Sequence, residues 1–89
     1  MIGRARLAWN VRRLRTSRGL TQEKLAVDAR VAAPYLSRIE RGTVNPTIDI
    51  LDRLAAALDV SSDTLLLAID PMDEAPEPLR PGRKRRKPL

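Results

Sequence analysis

The sequence predicts an all-α protein, a compact five-helix bundle with a disordered C-terminal tail, and three observations lead there. Apolar residues recur at helical spacing through the first 69 positions, punctuated by residues that start and stop helices. The hydrophobic fraction of 43% is Leu, Ile, Val and Ala, with 2% aromatic residues and no Phe, so the alternation that builds a sheet is missing. Eighty-nine residues support one small core and not a second.

Leu7, Val11 and Leu14 fall at i, i+4 and i+7, which places an apolar stripe on a first helix over about residues 3–18. Gly19 stops it as a C-terminal cap. Thr21 stands where an N-cap belongs and Gln22, Glu23 and Lys24 fill the next turn, Lys24 at the place of a capping-box Glu. A second helix therefore covers residues 22–29. After a tight turn at Arg30-Val31, a third helix spans residues 33–41, because Pro34 suits a first turn and Gly42 a stop. Leu36 and Ile39 are its inward residues. Residues 43–46 form a loop, Thr47 caps again, and Ile48, Leu51, Leu54, Ala55 and Leu58 line one face of a fourth helix. Ser61 or Ser62 caps a fifth that ends near Ile69, with Leu65, Leu66 and Ile69 facing the core and Leu67 directed elsewhere.

Beyond Asp70 the composition changes. Pro71, Pro76, Pro78, Pro81 and Pro88 interrupt any helix, and the charges segregate into Asp70, Asp73, Glu74 and Glu77, then Arg80, Arg83, Lys84, Arg85, Arg86 and Lys87. The reading is one domain over residues 1–69 and a tail over 70–89.

The chain has no Cys and no His, which removes disulfides, thiolate and imidazole metal ligands, and the commonest nucleophiles and general bases. The carboxylates lie scattered along helices without metal-ligand spacing. No catalytic residue, metal, cofactor or enzyme activity is expected. No apolar leader follows Met1-Ile2-Gly3-Arg4, and the longest apolar runs, such as residues 65–69, are too short to span a bilayer. The expectation is a cytoplasmic, nucleoid-associated protein without a membrane partner. A net charge of +6 favours a polyanion, and in that compartment a nucleic acid.

Two short helices joined by a tight turn, with one helix before and two behind, form the unit that lays its second helix in the DNA major groove. Within residues 7–66 stand Leu20-Thr21-Gln22-Glu23-Lys24-Leu25-Ala26, then Tyr35-Leu36-Ser37-Arg38-Ile39-Glu40-Arg41-Gly42, then Asn45-Pro46-Thr47, then Leu54-Ala55-Ala56-Ala57-Leu58-Asp59-Val60. In this order and spacing the blocks resemble the phage repressor and Cro family, also called the XRE family. The resemblance implies a lambda-repressor-like helix-turn-helix domain that binds double-stranded DNA as a homodimer.

It also implies roles. Thr21 and Gln22 match the phosphate-docking start of the second helix, where free N–H groups and the helix dipole attract an anion; Thr21 caps that helix as well. Ala33, Pro34, Ser37 and Arg38 match the base-facing positions of the third helix. The first two offer only apolar contact to a thymine methyl or exclusion by shape, so hydrogen-bond readout falls to Ser37 and Arg38. For Arg38 a phosphate contact is the competing role. Arg41, Thr43 and Asn45 match backbone clamps in the following turn. Arg15 and Glu40 match a structural ion pair between the first and third helices; the alternative is two exposed charges worth little.

The pattern is broken at two places. Arg30 stands where the family usually has Gly at positive φ, a cost of about 1 kcal/mol, and Ala32 stands where Ser or Thr usually caps, forgoing typically ~1 kcal/mol. Trp9 lies off the main stripe and forms a second strip with Ile2 and Ala5. It is either an edge residue or, like Leu67, a dimer-interface candidate, since the family commonly dimerises through its fifth helix. The function expected is a transcriptional regulator, a repressor, on a near-palindromic operator. The alternative is the antitoxin of a toxin–antitoxin pair that also binds its own promoter, its tail being a possible protein-partner segment. The basic run of the tail also reads as an arm on DNA.

Overall fold

Four α-helices and one short 3-10 helix make up residues 2–69, the part of the chain that the computed structural model describes. In order they are α1 (Ile2–Ser17), α2 (Gln22–Ala29), α3 (Ala33–Glu40), α4 (Ile48–Ala57) and the 3-10 helix Ser62–Leu66. The tail reading, residues 70–89, lies outside the described residues. Helix α1 packs on α3 and on the 3-10 helix, α2 packs on α3 and α4, and α4 closes on the 3-10 helix. Leu7, Val11 and Leu14 meet Leu25, Ala26, Ala29, Leu36, Ile39, Leu51, Leu54, Ala55, Leu58 and Leu65 in one aliphatic core. Burial of each Leu, Ile or Val side chain among them contributes about 1.5–3 kcal/mol.

The helices begin and end for visible reasons. Thr21 Oγ1 accepts from the Lys24 N–H at 3.0 Å and Thr47 Oγ1 from the Ile50 N–H at 3.2 Å, which satisfies one orphan donor at each start. Ala32 gives α3 no such bond. All four α-helices end alike, with a left-handed residue whose successor donates back five residues. These bonds run from Leu20 N–H to Arg15 O at 3.1 Å, Val31 to Ala26 at 3.0 Å, Thr43 to Arg38 at 3.1 Å and Val60 to Ala55 at 2.9 Å. Glycine takes the left-handed position in two of them, Gly19 at φ 69° and Gly42 at φ 73°, while Arg30 at φ 60° and Asp59 at φ 59° take it in the others.

Three expectations need correction. The fifth element is a five-residue 3-10 helix, and the chain leaves it in an extended conformation at Leu67. At three residues per turn, neighbouring side chains diverge by a third of a turn, so only Leu65 reaches the core. Leu66 is 39% exposed and Ile69 only half-buried. Ile48 shares the periodicity of the α4 stripe but is 70% exposed, because the first turn of α4 overhangs the bundle and Ile50 packs on the core instead. Asn10, on the buried side of α1, has a role the apolar pattern does not reveal. Its Nδ2 donates to Leu65 O and Leu67 O, both at 3.0 Å, and fastens the end of the fold to α1.

Candidate nucleic-acid interface

Glu40 ends α3 with its carboxylate turned inward, and three donors meet it there. Arg15 of α1 approaches side-on, Nε to Oε2 at 2.7 Å and Nη2 to Oε1 at 3.0 Å, and Gln22 Nε2 of α2 donates to Oε1 at 3.0 Å. The remaining Arg15 nitrogen, Nη1, donates to Leu20 O at 2.8 Å. The two charged side chains are 8% and 2% exposed, a burial tolerable only where charge and hydrogen bonds are matched in this planar, bidentate way. One carboxylate thus joins three helices.

Above this cluster an open cleft is lined by Arg12, Arg15, Thr21, Gln22, Glu23, Glu40 and Arg41. The first N–H groups of α2 open into the same region, so backbone dipoles and guanidinium groups converge on one concavity. Gln22 uses one amide hydrogen on Glu40, and its amide carries a second donor.

On α3, Leu36, Ile39 and Glu40 are buried, Pro34 and Arg38 are exposed, and Ala33 and Ser37 are half-buried. Arg41, Thr43 and Asn45 follow on the surface, with Thr43 Oγ1 donating to Arg38 O at 3.2 Å. Thr21, Gln22 and Arg41 are therefore brought to one cleft, while Arg38 and Thr43 meet at the end of α3. Trp9 and Leu67 are not among the residues that line this cleft. Trp9 is half-buried with its indole N–H buried and unpartnered among the described residues, and Leu67 is 53% exposed beside the Asn10 anchor. Arg12 was not singled out from the sequence, because it is off the apolar stripe and only the fold puts it in the cleft. Among the described residues no cluster of carboxylates could hold a metal ion, and no helix is long and apolar enough to cross a membrane.

Residues 11–65 match the helix-turn-helix family HTH_3. The chain belongs to that family. Among other members, the HTH-type transcriptional regulator y4dJ of Sinorhizobium fredii is 45% identical over 67 residues, 75% of this chain and 83% of the relative. The crystal structure of the transcription factor NHTF from Neisseria matches with a TM-score of 0.72 at 38% identity, over 74% of this chain and 76% of that one. SinR, an HTH-type transcriptional regulator of Bacillus subtilis, is 44% identical over 57 residues, 63% of this chain. A crystal structure of SinR in complex with DNA matches at a TM-score of 0.65 and 41% identity, over 67% of this chain and 97% of that one. The chain spans about half, 51%, of full-length SinR. As an HTH_3 protein it is of the DNA-binding transcription-regulator type and is not an enzyme.

Proposed function

We propose that residues 1–69 form a sequence-specific DNA-binding domain and that the protein is a cytoplasmic, nucleoid-associated repressor that binds a near-palindromic operator as a homodimer. Each α3 would read one half-site, the two about 34–36 Å apart. The observation that carries this reading is the Glu40 cluster. By joining Arg15 and Gln22 it fixes the start of α2 and the exposed side of α3 on one face, so a phosphate and a base edge can be met together. SinR, a member of the same family, has been crystallised with DNA.

Ser37 and Arg38 supply hydrogen-bond readout, Ala33 and Pro34 apolar contact, and Thr21, Gln22, Arg41, Thr43 and Asn45 the backbone contacts. Leu67 and Trp9 supply apolar surface for the second copy. Selection of bound sites from random duplex DNA tests the reading: an enriched palindrome is expected, and recovery of unenriched sequence would overturn it. Within the selected site, Arg38→Ala should relax preference at one base pair per half-site, about 1–3 kcal/mol of discrimination, while Gln22→Ala should weaken all duplexes alike. Equal loss on matched and scrambled DNA would make Arg38 a backbone contact. The antitoxin reading rests on residues 70–89, outside the described residues, and no structural observation favours it.

A further inference from the structure

The sequence of α1 carries five arginines and no carboxylate, and the fold sorts them by side. Arg15 is consumed by Glu40, and Arg13 Nη2 donates to Asn10 Oδ1 on the side that faces the 3-10 helix. Arg4, Ala8 and Arg12 follow one another at i, i+4 and i+8 on a different side, a single row along the helix. That row runs past the end of α3. A side-chain carbon built on Gly42 would stand 3.7 Å from Arg4 O and 3.8 Å from Ala8 Cβ, and Arg12 lines the cleft together with Arg41 and the start of α2.

We propose that Arg12 and Arg4 are further DNA-backbone-binding residues, a basic ridge of α1 that extends the contact outward from the cleft along one strand. The inference rests on the DNA-binding reading above and adds ligand contacts from a helix to which that reading assigns none. The dimensions suit it. Eight residues of helix separate Arg4 from Arg12 by about 12 Å, whereas each strand of a duplex carries a charge about every 3.4 Å of its axis, so the two guanidinium groups engage different phosphates. Arg41 and the turn at Gly42 connect this ridge to the face of α3 without a gap.

The test is the salt dependence of binding by the full chain, measured on a matched and a scrambled duplex. Each phosphate contact contributes about −0.9 to the slope of log affinity against log salt. Each substitution stands in both copies of the dimer, so Arg12→Gln and Arg4→Gln should each flatten that slope by about 1.8, and the double variant by about twice that, equally on both duplexes. Arg6→Gln removes the same charge from another side of α1 and should leave the slope unchanged. Arg12→Lys should restore it, which separates a lost contact from a damaged fold, as does an unchanged melting curve. Slopes that are unaltered in Arg12→Gln and Arg4→Gln, or altered as much by Arg6→Gln, would overturn the ridge while leaving the DNA reading intact. A wild type that binds no duplex at any salt would overturn that reading and the ridge with it.

Discussion

At Glu40 a charge is held at 2% side-chain exposure, and what makes this stable is the count of donors around it rather than attraction alone. Removing one partner of such a pair strands the other in a poorly solvated site. Glu40→Ala should therefore destabilise the protein by about 3–5 kcal/mol, measured by denaturant unfolding; a loss below about 1 kcal/mol would show that Arg15 finds water instead. Arg30 is the opposite case, a side chain in the left-handed region at φ 60° where Gly carries no steric cost. Arg30→Gly should raise stability by about 0.5–1 kcal/mol despite the added chain entropy, with a higher Tm as the readout. The strain at Arg30 was legible in the sequence, because the family pattern puts Gly there. Asp59 in the same conformation was not, since Asp at a helix end also reads as an ordinary surface charge. The second partner of Glu40, Gln22, was hidden as well, for no spacing rule relates positions on two different helices.

Among elements, the four α-helices were legible to within a residue or so, because at each of them at least two of cap, stripe and stop agreed. The failure at the fifth is instructive. Leu65, Leu66, Leu67 and Ile69 suit an α-helix by composition, yet after Val60 the chain has only the space between α1 and α4 to fill, and one leucine fills it. What holds the segment is polar. Asn10 donates to two of its carbonyls across more than fifty residues of sequence, a bond that periodicity could not announce from a polar residue on a buried face. Asn10→Ala should cost about 1–3 kcal/mol, the penalty for carbonyls left without a donor. Amide exchange should show that loss concentrated in residues 62–67; uniform acceleration over all helices would contradict the anchor.

Over the described residues the molecule is electrically lopsided. Arginines crowd α1 and the surface around the cleft, while Asp49, Asp52, Asp59 and Asp63 fall on α4 and the segment after it. A field of this kind turns a protein toward a polyanion before contact and fades with salt. Leu67, the residue proposed for the contact with a second copy, stands 53% exposed. Leu67→Glu should lower the dimer fraction in sedimentation while leaving the melting curve nearly unchanged, and an undiminished dimer would remove Leu67 from that contact. The three-helix junction at Glu40 also bears on how this protein could have changed over time. Typical domains are stable by only about 5–15 kcal/mol, so a lineage that lost either Arg15 or Glu40 alone would surrender a large share of its margin in one step. Both together could become apolar at little cost, and Arg15→Met with Glu40→Leu should be more stable than either single change. The two sites are therefore expected to be inherited as a unit, with a valley in stability between the paired states.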